Sequence, residues 1–212
     1  MADKEILIFV EGPSDKVFLE VYLYFLEDLP IKNFKVKDVK GKDNLSKRLL
    51  EIEKYDKTLI VFDADKDYES NKKEILKVVS KTKQTISEEQ IFLFPNNQDD
   101  GDLETLLLEI AKHTKFLKCF EGYLECIKSK EYYKPIKNIR KNMLYAYLEV
   151  LGLENLTKTN IDVFDNESKI KNKHEENYRR LKEMIDLKSK SLIPLKNFLE
   201  KSTENNQKTN LF

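Results

Sequence analysis

The chain has 212 residues, 40% of them hydrophobic, and its 38 basic and 38 acidic side chains cancel. It can bury a substantial core, and it lacks the global basic excess of a protein that coats nucleic acid, so any such contact has to be local. No stretch approaches the roughly 20 apolar residues of a membrane span, and the opening MADKE lacks the charged-then-apolar form of a signal peptide; the expected compartment is the cytoplasm.

The first apolar run, ILIFV at Ile6–Val10, has no polar alternation, which is how a strand covered on both faces reads. Gly12 and Pro13 break it, Ser14 is the expected N-cap, and Val17, Phe18, Val21, Tyr22, Phe25 and Leu26 recur at helical spacing over 15–28. Residues 34–39 alternate like an edge strand, Gly41 turns the chain, and Leu45, Leu49, Leu50 and Ile52 mark a second helix. A buried strand is expected over 58–62, a helix over 69–83 and a short apolar strand over 91–94. The order β-α-β-α-β-α-β implies a four-stranded parallel sheet with helices on both faces, an α/β domain over 1–112. Beyond Pro95 the periodicity is nearly all helical, with helices expected over 103–112, 116–128, 136–151, 177–185 and 192–200. That predicts a mostly α-helical C-terminal region over 113–201 and a disordered polar tail over 202–212.

Glu11 ends an otherwise apolar strand, and a buried carboxylate costs several kcal/mol, on the order of a lost ion pair, unless it is hydrogen-bonded, paired or bound to a metal. In an open parallel sheet, ligands bind beyond the carboxyl ends of the strands. Glu11 lies at the end of the first strand and LIVFDADKD puts Asp63 and Asp65 at the end of the third, where residues i and i+2 of an extended chain point the same way and could share one ion. The fourth strand runs into PNNQDDGDLE, with Asp99, Asp100, Asp102 and Glu104 on a loop or first helical turn. Clustered carboxylates raise each other's pKa unless a cation sits among them. Ligation by oxygen alone fits Mg²⁺ or Mn²⁺, which suits phosphoryl chemistry. Taken singly, each acid reads equally as a solvated turn residue or a helix-capping charge.

EGPSD at 11–15 and DAD at 63–65, about fifty residues apart behind apolar strands and followed by the third acidic segment, resemble the Toprim domain of topoisomerases, bacterial primases, small ribonucleases and nucleases of the overcoming-lysogenization-defect family. The resemblance covers roughly residues 5–112. KNIRKNMLYAYLEVLG and SLIPLKNFLEK further resemble the C-terminal half of an uncharacterised family of small stand-alone Toprim proteins. The resemblance implies a Toprim-like Rossmannoid fold with Glu11 as general acid or base and Asp63 and Asp65 as the metal pair. It also implies an assisting role for Asp67, Asp15 as the closing acid of the first motif, and Asp102 or Glu104 as part of a second metal position. A cysteine-rich zinc module, a tyrosine-bearing cleavage domain and a GxxxxGK[ST] loop are all missing, so the chain would be a minimal unit.

Two basic stretches could hold a phosphate backbone. Lys130, Lys134, Lys137, Arg140 and Lys141 surround Tyr132 and Tyr133, and Arg179, Arg180 and Lys182 form a second group. Lys16, beside the EGPSD motif, could face the same phosphate; ordinary solvated helix faces are the alternative. Cys119 and Cys126 lie too far apart on one helix to bridge and read as reduced core thiols, while His113 and His174 read as surface residues. Three functions stay open: a Mg²⁺-dependent nuclease acting on RNA or DNA, a catalytically idle nucleic-acid or partner-binding module working with a separate ATPase, and an enzyme of nucleotide phosphoryl transfer.

Overall fold

The computed structural model describes residues 6–26, 34–132, 134, 136, 138–153 and 170–204. The four strands β1 (Ile6–Val10), β2 (Phe34–Asp38), β3 (Lys57–Asp63) and β4 (Ile91–Phe94) pair in parallel in the order β2-β1-β3-β4. Every residue of β1 and β4 is buried, as their unbroken apolar sequences require, whereas β2 at the edge buries only Val36 and leaves Lys35 exposed.

Helix α1 (Pro13–Phe25) starts two residues earlier than Ser14 as N-cap would allow: Gly12 caps it and Pro13 takes the first helical position. Proline suits that place because its missing N–H would have no intrahelical partner there. The Asp15 carboxylate reaches back to accept the Gly12 N–H at 2.7 Å. The expected second helix is a 3-10 segment over Lys42–Arg48 followed by the single turn α2 (Leu49–Ile52). Helix α3 spans Tyr68–Val79, and α4 (Leu103–Glu109) is shorter than expected.

One sheet face packs Leu7, Phe9, Ile60, Phe62 and Leu93 with Leu45, Ile52, Ile75 and Val79. On the other, Phe94 meets Phe18 of α1 edge-on at 6.1 Å, and Phe92 meets Phe198 of the last helix, α8 (Ile193–Glu204), at 5.4 Å. The Lys57 ammonium at the start of β3 donates to the Ser202 carbonyl at 2.7 Å. The chain therefore divides differently from the continuous 1–112 and 113–201 of the sequence reading. One compact unit comprises residues up to 106 together with those from 188 onward, and the other comprises 107–187. The reason is apolar: Leu195, Phe198 and Leu199 are buried, and burying a leucine or phenylalanine is worth about 1.5–3 kcal/mol. Residues 202–204, expected in the tail, belong to α8, and Ser202 is buried with its hydroxyl on the Phe198 carbonyl; 205–212 lie outside the described residues.

The second unit holds α5 (Thr114–Lys128), α6 (Ile139–Val150) and α7 (Asn172–Met184) around Ala111, Leu144, Tyr147, Leu148 and Leu153. The Tyr147 hydroxyl closes it by donating to the Met184 carbonyl at 2.9 Å. Cys119 and Cys126 are free and exposed, not in a core, because α5 turns only its other face inward and buries no residue fully. His113 is exposed and His174 is half-buried beside Tyr178.

Candidate metal centre

The parallel register brings the ends of β1 and β3 side by side, Val10 opposite Val61, so that Glu11 and Asp63 leave adjacent strands at the carboxyl edge. Glu11 is half-buried, and its Oε2 is shielded from solvent without a hydrogen-bond partner. Burial, and then the Asp65 charge, push its carboxyl above the ordinary glutamate value. Lys42 and the backbone amides of Asp63 and Lys42 pull it down without cancelling the rise. Asp63 is pushed well above the ordinary aspartate value, by burial first and then by the charges of Asp15, Glu11 and Glu104. The Leu103 N–H, donated to Asp63 Oδ1 at 2.9 Å at the start of α4, opposes that rise. Asp63 thus feels the charges of Asp15, Glu11 and Glu104, and Glu11 feels that of Asp65.

Asp65 behaves differently from the extended pair expected of DAD. The strand ends at Asp63, Ala64 is buried, and Asp65 takes a left-handed conformation at φ 53°, which aspartate tolerates better than most residues. Its N–H donates to the Gly101 carbonyl at 2.7 Å. Gly101 itself sits at φ +149°, and a Cβ there would lie 2.9 Å from the Pro95 ring. In this turn Asp65 meets Lys42, whose Nζ lies 2.8 Å from Asp65 Oδ2 and 2.9 Å from Asn71 Oδ1. Burial lowers the pKa of the Lys42 ammonium, but the hydrogen bond and charge of Asp65, with Glu11 and Glu74 beyond, hold it above the ordinary lysine value. Two tethers place this lysine: the Gly41 N–H donates to the Glu11 carbonyl at 2.9 Å, and Asn71 Nδ2 donates to the Ala64 carbonyl at 2.6 Å. A cleft of about 140 Å³ opens here, lined by Lys42, Asp63, Asn71 and Glu74 among others.

Neither Lys42 nor Asn71 stands out in the sequence. The glycine preceding Lys42, which allows the turn at φ +97°, is the one local signal.

Other expected ligands have structural work. Asp67 caps α3 by accepting the Ser70 N–H at 2.9 Å, and Asp102 accepts the Thr105 N–H at 2.8 Å. Asp100 accepts the Tyr68 N–H and Asp99 binds the Asn96 amide. Lys16 pairs with Glu20 at 3.5 Å. Lys134, Arg140 and Lys141 are exposed residues of the second unit, with Lys141 over the Tyr145 ring; Lys137 and Tyr133 lie outside the described residues. In the second basic group Arg179 pairs with Glu176 and Glu183, and Arg180 donates to the Leu151 carbonyl.

Residues 5–203 match the model of a family described as a protein of unknown function (DUF3226). The chain belongs to that family. Comparison with the curated proteins and with the solved structures gave no match to this DUF3226 member.

The donor chemistry of the edge fits a hard divalent cation. Mg²⁺ takes one or two protein carboxylates and completes its shell with water and phosphate oxygens, and the shielded Oε2 of Glu11 beside the crowded Asp63 supplies such a pair. Among the described residues, no three acids, histidines or thiols stand together as a group that could hold a metal ion.

Proposed function

We propose that the carboxyl edge of this sheet is a Mg²⁺ or Mn²⁺ site for phosphodiester hydrolysis, acting on RNA or DNA in the cytoplasm, as the resemblance to Toprim nucleases implies. One observation carries the reading: Glu11 keeps a solvent-shielded carboxylate oxygen with no hydrogen bond, next to an Asp63 surrounded by like charges. A fold tolerates that crowding where a cation or a proton relieves it.

Glu11 and Asp63 would hold the ion, with Asp15 and Glu104 adding negative potential. When bound, the ion supplies positive charge to the phosphoryl oxygens. The raised pKa makes the Glu11 carboxylate a better proton acceptor than an ordinary glutamate, which suits an acid–base role. Lys42 presents a fixed cation on the Asp65 side.

The occupation of Asp65 by Lys42 favours a second reading, an idle binding module whose acids have been partly neutralised in place. Incubating the purified chain with RNA and DNA in Mg²⁺ or Mn²⁺, beside an EDTA control and Glu11→Gln, tests both. Metal-dependent cleavage lost in Glu11→Gln supports hydrolysis, and binding of nucleic acid without cleavage supports the module.

A further inference from the structure

We propose that Lys42 is the second cation of this site, so that the edge takes a single divalent ion on its Glu11–Asp63 side and the Lys42 ammonium stands where another ion would otherwise bind. The inference rests on the metal reading above and deepens it by assigning the number of ions and the residue that sets it.

Two-ion phosphoryl sites place their ions about 3.5–4 Å apart, so at least one carboxylate must be open to both. Here the two strand-end aspartates are held by different partners. Asp63 Oδ1 accepts the Leu103 N–H at 2.9 Å, whereas Asp65, in its left-handed turn, directs Oδ2 to Lys42 at 2.8 Å. The oxygen that a second ion would need is therefore occupied by a positive charge. That charge is not a loose surface lysine. Asn71 Oδ1 holds the ammonium from another side at 2.9 Å, and Asn71 is itself fixed by the Ala64 carbonyl within the DAD segment. The turn that carries Lys42 is bound through the Gly41 N–H to the backbone of Glu11. The three anchors tie Lys42 to both acidic motifs, a placement that a lysine serving only as a surface ion-pair partner does not need. An ammonium is a compact point charge with three donors, able to stabilise phosphate oxygens while neutralising Asp65.

The test counts bound ions without needing activity. Full-length wild type, Lys42→Met, Lys42→Gln, Lys42→Arg and Lys42→Met with Asp65→Asn are titrated with Mn²⁺, with free ion read by electron paramagnetic resonance and folding checked by circular dichroism. The expected result is one Mn²⁺ per chain in wild type and in Lys42→Arg, two in Lys42→Met and Lys42→Gln, and one again when Asp65→Asn is added. Two ions in wild type overturn the proposal, as do one or none in the folded neutral variants. If wild type binds no Mn²⁺ and Asp63→Asn changes nothing, the metal reading falls as well, a pattern distinct from one ion that ignores Lys42.

Discussion

Replacing Asp63 with asparagine should make the metal-free protein more stable at neutral pH. The side chain keeps its size, and the amide oxygen can still accept the Leu103 N–H now at 2.9 Å. What disappears is a shielded negative charge facing those of Asp15, Glu11 and Glu104. Two unit charges 4 Å apart interact by about 4 kcal/mol at an effective dielectric near 20. With the charge spread over three neighbours, and about 1 kcal/mol returned for an imperfectly bonded amide, the net gain should be about 1–3 kcal/mol. At about 2–4 °C per kcal/mol for a chain of this size, Tm should rise by roughly 2–12 °C.

The pH dependence follows from the direction of the shifts. Because the carboxyls of Asp63 and Glu11 are raised in the fold, the native state binds more protons than the unfolded chain between the ordinary carboxylate value and the raised one. Wild-type stability therefore falls as pH rises through that window, by at most about 1.4 kcal/mol per pH unit for each group. The gain from Asp63→Asn should accordingly shrink as pH falls through that window toward the ordinary carboxylate value. Mg²⁺ should raise Tm of wild type more at pH 8 than at pH 5 and leave Asp63→Asn unmoved. Differential scanning fluorimetry at several pH values, with and without Mg²⁺, measures all of this. A loss of stability in metal-free Asp63→Asn at pH 7.5 would show that Asp63 is favourably paired and refute the reasoning.

Glu11→Gln should fold normally yet lose about 10²- to 10⁴-fold in cleavage rate, the usual worth of an acid–base group; an unchanged rate at saturating Mg²⁺ removes Glu11 from the chemistry. Asp65→Asn should cost less than about 1 kcal/mol in urea denaturation, because its ion pair with Lys42 is partly exposed on both sides. Gly101→Ala must place a Cβ 2.9 Å from the Pro95 ring at φ +149°, and should cost about 1–3 kcal/mol of strain in urea denaturation. Leu199→Ala, at a fully buried position, should cost about 2–5 kcal/mol and unfold in a single transition with the sheet, as measured by urea titration; an earlier, separate transition would place α8 outside that cooperative unit.

Much of the α/β unit was legible in the sequence because its signals are local. Unbroken runs such as ILIFV and IFLF require burial on both faces, and the alternation of strands with 3.6-residue periodicity leaves a parallel sheet as the economical arrangement. That Glu11 and Asp63 share an edge follows from the same logic, since both end buried parallel strands. The conformation of Asp65 was not legible: extended geometry predicted a pair, but the positive φ depends on Gly101, 36 residues further on, accepting the Asp65 N–H. Caps were equally ambiguous, because an aspartate at a helix start reads the same whether it awaits an ion or binds an N–H, and only the coordinates commit Asp67 and Asp102 to the backbone. The return of α8 to the sheet depends on Phe198 meeting Phe92, a contact between residues 106 positions apart that leaves no periodic trace. Lys42 is the sharpest case. A lysine in a chain with 38 basic residues carries no signal of its own, and its role arises from hydrogen bonds to residues 23 and 29 positions away. Hydrophobic periodicity reports what each segment must bury, while the pairing of charges depends on which distant loops the finished sheet brings together.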